Sequence, residues 1–220
     1  MSLRKVSFVK GEYYHVYNRG NSKQKIFHDK QDYFHFMNLL FLCNDTENLR
    51  AFNIFRDKND YLNHNKENIV YIGAYCIMPN HFHILITEQQ EGGISKFMQK
   101  LSTAYAMYYN QKYKRTGSLF EGKFKSVHMS NDKQIKYLFS YIHLNSIKLI
   151  QKDWKEKGIK NKKEALGYLN DYQYSSYLEF LGVQRVYNNI LDINQFPQYF
   201  PTKSSFTKEI FEWLNYSDSE

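Results

Sequence analysis

A chain of 220 residues with 42% hydrophobic and 24% charged residues matches one folded domain with appendages, excludes wholesale disorder, and is long enough to form a core without disulfides or a structural metal. Three Pro and ten Gly exclude collagen-like and low-complexity classes, and no apolar run approaches the roughly 18 residues of a membrane helix. Net charge is +8 and aromatic residues reach 18%, a pairing that suits nucleic acid as well as it suits a ring-filled core on a basic surface.

The first residues, MSLRKVSFVKGEYYH, lack the apolar stretch of a signal peptide, and Cys43 and Cys76 make no disulfide framework. A reduced, cytoplasmic chain is expected. Charge is concentrated: from Lys96 to Lys163 there are 16 Lys and Arg against four acidic residues, a net +12, which leaves −4 for the rest. Such asymmetry favours a binding face over an evenly solvated surface.

Glu12 to Asn18 reads as a strand closed by a turn at Arg19-Gly20-Asn21. Asp29 to Cys43 reads as a helix, with Tyr33, Phe36, Met37, Leu40 and Phe41 at helical spacing and Asp29 as its cap. Residues 44–68 are polar and irregular, an expected insertion. Ile69 to Met78 and His81 to Thr87 read as a hairpin turning at Pro79-Asn80. A long helix follows from Gly92-Gly93 to Lys112, then a loop at Thr116-Gly117, a short strand from Phe124 to Met129, and a helix from Asp132 to Ile150. A Lys-rich connector spans 151–163, and short helices and an acidic tail complete the chain.

The order β-α-β-β-α-β-α predicts an α+β fold: a ferredoxin-like antiparallel sheet with helices on one face, plus an extra C-terminal helix. Residues 1–183 form the expected main domain and 184–220 a C-terminal helical extension. Many functions use this fold, so the site must carry the functional argument.

Two features carry chemistry. In His81-Phe82-His83, residues i and i+2 of a strand share a face, so both imidazoles converge while Phe82 turns away. Such a pair either holds a metal ion or makes two partly buried, hydrogen-bonded histidines. On the last core helix, Ile135, Leu138, Phe139, Ile142 and Leu149 form an apolar stripe, with Tyr141, Asn145 and Lys148 one turn apart along its edge. A phenol, an amide and a cation there suit a phosphate; a tyrosine at the core edge with an Asn near a helix end suits the same pattern. His15, on the first strand, is at most a candidate to support the pair. His128 lies on the last strand, His143 opposite the Tyr141 edge, and His28, His35 and His64 on helix or loop surfaces; all six read as ordinary structural histidines.

MPNHFHILI (78–86) resembles the His-hydrophobic-His motif of HUH enzymes, and SYIHLNSIKLI (140–150) resembles the tyrosine helix of single-tyrosine transposases. YHVYNRGNSKQKIF (14–27), GSLFEGKFKS (117–126) and YQYSSYLEFLG (172–182) resemble further blocks of that family in the same order. Over about residues 12–183 the chain resembles insertion-sequence single-tyrosine transposases, above all the REP-associated tyrosine transposases. It departs from their pattern at Ser146, where Pro is usual, at Leu149 and Ile150, where Ala-Gly is usual, at Lys123, and in the length of 44–68.

The resemblance implies a single-stranded DNA endonuclease and strand transferase working through a 5′-phosphotyrosine in DNA transposition. Tyr141 is then the nucleophile, and His81, His83 and Asn145 the ligands of Mg²⁺ or Mn²⁺. The implied substrate is single-stranded or hairpin DNA, with no membrane partner and either a monomer or a homodimer. Arg19, Lys112, Lys114, Arg115, Lys123, Lys125 and Lys148 are expected along the DNA backbone, and Phe120 and Phe124 stacked on bases. A domesticated, non-catalytic single-strand-binding protein is the alternative; it would have no need of Tyr141.

Overall fold

The computed structural model describes residues 7–47 and 66–212. The expected order is observed: β1 (Tyr13–Arg19), α1 (Lys30–Leu42), β2 (Val70–Met78), β3 (His81–Glu88), α2 (Gly93–Lys112), β4 (Lys125–Met129) and α3 (Asp132–Leu144). The strands form one antiparallel sheet in the order β2-β3-β1-β4. The architecture is therefore α+β and ferredoxin-like.

Strand alternation sorts the side chains onto two faces. On one, Tyr14, Val16, Phe82, Ile84 and Ile86 meet Phe36, Met37, Phe97, Leu101 and Tyr105 of α1 and α2. On the other, Ala74, Cys76, Met78 and Leu85 meet Ile135, Leu138, Phe139 and Ile142 of α3. The extra helix thus covers the face that α1 and α2 leave open. A bulge between Ile72 and Ala74 shifts the parity of β2. Gly73 sits there because Phe196 packs 2.8 Å from where a Cβ would stand.

Caps fix where the helices begin. The side chain of Asp29 accepts from the Asp32 amide at α1, as expected, and that of Asn131 from the Gln134 amide at α3. The α3 helix is shorter than the apolar stripe predicts. It ends at Leu144 and tightens into a 3-10 turn over Asn145–Leu149, because the Asn145 amide bonds the Ile142 carbonyl three residues back. That turn lets the Ser146 amide approach the sulfur of buried Cys76, a contact a proline there could not make.

Of the expected insertion at 44–68, residues 48–65 lie outside the described segments. Its ends are pinned together: Asn44 Oδ1 accepts from the amides of Ile69 and Val70 at 3.0 Å, and Thr46 bonds Glu67. His64 and the acidic tail also fall outside.

The C-terminal part consists of α4 (Trp154–Lys157), α5 (Lys162–Asp171), α6 (Tyr177–Phe180), two 3-10 turns and α7 (Lys203–Glu212). It builds a third cluster around Leu144, Ile147, Trp154, Tyr177 and Phe206. Residues 174–176 run along the free edge of β2, exchanging backbone bonds with Tyr75 and Ile77, which protects that edge. No described helix is long and apolar enough to cross a membrane.

Candidate active site

The parity that sends Phe82 into the core sends His81 and His83 to the α3 face. Their ring centroids lie 5.0 Å apart, nearly perpendicular. From neighbouring β1, His15 and Tyr17 reach the same patch, and His15 Nε2 lies 2.8 Å from His83 Nδ1. If His83 donates in that contact, its Nε2 keeps a free lone pair, the tautomer a metal ligand needs. Sequence reasoning read His15 as an ordinary residue. The missing signal was the strand register, which sets Tyr17 opposite His83 and so brings His15 to it diagonally.

Tyr141 descends on this patch from α3. Its half-buried ring stands edge-on to His83 at 5.4 Å and to His15 at 6.1 Å. Tyr137 stacks on it one turn earlier, at 6.2 Å. Asn145, one turn later, is buried with its amide beside both His81 and the Tyr141 hydroxyl. The phenol, the histidine pair and the amide thus meet within one chain.

Burial sets the electrostatics. It lowers His81 to about 4, helped by the Lys148 cation, and lowers His15 to about 4, helped by Lys155. Burial, with the neighbouring imidazoles, also holds His83 well below its usual range. All three are neutral, lone-pair-bearing rings at neutral pH. Burial raises Tyr141 above the usual phenol range, and the Asn145 side chain opposes that.

Two buried polar atoms here have no hydrogen-bond partner among the described residues: His83 Nε2 and Asn145 Oδ1. Unmet lone pairs in a buried site cost free energy unless something binds them. Neutral imidazoles plus an amide oxygen make a donor set that fits a divalent cation and leaves positions for other oxygens. No group of three His, Cys, Asp or Glu poised for a metal occurs among the described residues. Asn145, expected from the resemblance as the third ligand, lies beside the pair with its Oδ1 unpartnered.

Above these groups opens a cleft of about 890 Å³ with Arg19, Lys23, Lys25, Lys125, Lys148 and Lys152 in its walls. Its one acidic lining residue, Glu121, is held by Arg19. Of the basic residues expected along DNA, Arg19, Lys125 and Lys148 are in this cleft. Lys23, Lys25 and Lys152 line it too, although nothing local in the sequence separates them from surface lysines.

The other expected DNA contacts lie elsewhere. Lys112 is bound by Asp29 and by fully buried Asp32 at 2.7 Å, and these partners hold it well above the usual lysine range. It is paired with these carboxylates and does not line the cleft. Phe120 is 7% exposed and packs in the α1/α2 core, so it offers no face to a base. Phe124 is half-buried against Phe8. Arg115 lies over the Tyr109 ring at the end of α2, near exposed Lys114, and exposed Lys123 precedes β4. His35 is a further correction: it is buried rather than on the surface, stacked 3.7 Å from Tyr108. His143 is fully buried against Ser176, His28 bonds Tyr109, and His128 pairs with Glu12.

Two comparisons with known proteins give matches, one to a family and one to a fold. The family described as "Transposase IS200 like" matches residues 8–145, a span containing both histidines of the pair, Tyr141 and Asn145. The fold is similar to that of a solved REP-associated tyrosine transposase bound to a REP hairpin, with a TM-score of 0.50 and 14% identity over 84% of this chain and 90% of that one. No curated protein matches the chain.

Proposed function

The chain belongs to the IS200-like transposase family, and from that premise we propose that Tyr141 is the nucleophile with which it cleaves and rejoins single-stranded DNA. The observation that carries this reading is the convergence of the Tyr141 hydroxyl, the His81–His83 pair and Asn145 beneath one basic cleft.

The Tyr141 oxygen attacks the phosphorus of one phosphodiester. The bond from phosphorus to the 3′ oxygen breaks and a 5′-phosphotyrosine bond forms. The phenolic proton passes to solvent, and the departing oxygen takes up a proton to become a free 3′-hydroxyl. A second 3′-hydroxyl then attacks the phosphotyrosine and returns the proton to Tyr141. One phosphodiester is exchanged for another, so no nucleoside triphosphate is consumed.

His81, His83 and Asn145 would hold a divalent ion, Mg²⁺ or Mn²⁺. Bound there, such an ion supplies Lewis-acid withdrawal of the charge that develops on the phosphate. The protein's own part is positioning. The rigid α3 helix aims Tyr141, the His15 contact orients His83, and Arg19, Lys125 and Lys148 meet the DNA backbone. An unpaired strand suits this cleft, because the attacked phosphate must descend to a half-buried hydroxyl. The similar solved transposase, bound to a REP hairpin, supports a hairpin-bearing strand as substrate.

The test incubates the protein with labelled single-stranded, hairpin and duplex DNA plus Mg²⁺ or Mn²⁺ and looks for a covalent adduct. Adduct on Tyr141 with unpaired strands is expected. Adduct on Tyr137, or undiminished adduct in Tyr141→Phe, rejects the assignment. Salt-sensitive binding with no adduct under any of these conditions leaves a non-catalytic DNA-binding protein.

A further inference from the structure

A cation stands over Tyr141 from a part of the chain that the family match does not reach. That match ends at Asn145, and α4 comes nine residues later. Trp154, the first residue of α4, is 3% exposed and stacks on the Tyr141 ring with centroids 6.3 Å apart. So anchored, it delivers the next side chain: Lys155 Nζ lies 5.1 Å from the centroid of the Tyr141 ring. Lys155 is exposed and has no carboxylate partner among the described residues, whereas Lys157 of the same turn pairs with Asp153.

We propose that Lys155 is an electrostatic positioning residue for Tyr141, holding the ring from one face and stabilising the phenolate that develops as the oxygen attacks. The proposal rests on Tyr141 being the nucleophile. A cation is drawn to the face of a neutral aromatic ring, and the attraction grows as negative charge delocalises from the oxygen into that ring. The interaction is therefore stronger in the transition state than in the ground state, which is the condition for accelerating the step.

The surroundings leave this task to few groups. Facing Tyr141 are His15 and Tyr17 from β1, Cys76 from β2, His81 and His83 from β3, and Tyr137 and Asn145 from α3. The imidazoles are neutral at neutral pH, and burial pushes the Cys76 thiol far up. The charge of Lys148, on the 3-10 turn, acts on His81 and His83, that of Lys155 acts on His15 and His83 as well, and Arg19, Lys23, Lys25, Lys125 and Lys152 line the cleft beyond. Lys155 is the cation seated over the nucleophile's ring.

The test labels the protein with fluorotyrosine and identifies the Tyr141 resonance by its loss in Tyr141→Phe. At fixed neutral pH that resonance should move in Lys155→Met, which loses the cation over the ring, and stay near the parent position in Lys155→Arg. At saturating DNA, where a lost phosphate contact no longer matters, Lys155→Met should slow adduct formation about three- to tenfold, and Lys155→Arg should restore the parent rate. An unmoved resonance in Lys155→Met, a defect confined to DNA affinity, or no rescue by Lys155→Arg overturns the proposal. Failure of the nucleophile assignment looks different: adduct persists in Tyr141→Phe or never forms in the parent, while the fluorine resonance still reports whether Lys155 stands over the ring.

Discussion

The two faces of the sheet are fed by the same strands and do opposite work. On the α1/α2 side, β1 and β3 contribute Tyr14, Val16, Phe82, Ile84 and Ile86 to a core of rings and branched aliphatics. On the α3 side, the alternate residues of those strands are His15, Tyr17, His81 and His83, met by Tyr141 and Asn145. One face is apolar and closed throughout. The other is apolar where α3 covers it and, at the His81–His83 patch, polar, under-bonded and open to a basic cleft. The close-packed face makes the strands rigid enough to hold an under-satisfied set of side chains on their backs, a division of labour that binding and catalytic sites need.

The sharpest way to break this contrast is at Tyr141. Tyr141→Phe removes one oxygen and should abolish the covalent DNA adduct while leaving the unfolding midpoint and DNA affinity near the parent values. Gel shift, denaturing gel and thermal melt on the same preparation check this. A large stability loss would mean that the hydroxyl is a core group.

Neighbouring residues on β3 offer the next contrast. Phe82→Ala should cost about 3–5 kcal/mol in urea unfolding, the usual range for emptying a packed aromatic site. His83→Ala, one residue on, should change stability by less than about 1 kcal/mol, the worth of an ordinary hydrogen bond, yet abolish metal-dependent cleavage. Mn²⁺ binding followed by electron paramagnetic resonance should weaken in His81→Ala, His83→Ala and Asn145→Ala and not in His35→Gln. Undiminished cleavage by the His81/His83 double variant in chelator-treated buffer would reject the ligand assignment.

Acid should test the closed face independently. Burial lowers His35 to about 4, so folding holds this ring neutral while the unfolded chain protonates it near the ordinary value of 6.5. The unfolded state therefore binds more protons below that value. The stabilising contribution is whole above about pH 6.5 and is lost as pH falls toward 4, by about 3 kcal/mol over the interval. Urea midpoints of His35→Gln across this range should fall less steeply than those of the parent. Parallel slopes would show that His35 is accessible to protons.

The smallest expected effect separates two lysines. Lys148→Gln should flatten the dependence of log affinity on log salt by about one unit, the signature of one lost phosphate contact. Lys112→Met should leave that slope alone and lower stability instead, because Asp32 would stay buried without its cation. Equal slopes for all three proteins would remove Lys148 from the DNA path.

Much of this was legible in the chain itself. Period-2 alternation through YYHVYNR and HFHILIT assigned opposite faces to Phe82 and the histidine pair, and the i, i+4 spacing of Tyr141 and Asn145 set them on one helix edge, because both regularities are local consequences of backbone geometry. Asp29 as a cap and Pro79-Asn80 as the hairpin turn followed for the same reason. Tertiary structure alone decided the rest. Whether a lysine lines a cleft, as Lys25 does, or is spent on a buried carboxylate, as Lys112 is, depends on which elements pack beside it. His15 gained its partner through strand register, His35 its burial through α2, and Phe120 its place in the core through the loop before β4. Lys155 came to stand over Tyr141 because α4 folds back on α3 and Trp154 pins it there. These are contacts between residues distant in sequence, and no local periodicity encodes a partner that only the packing of separate elements supplies.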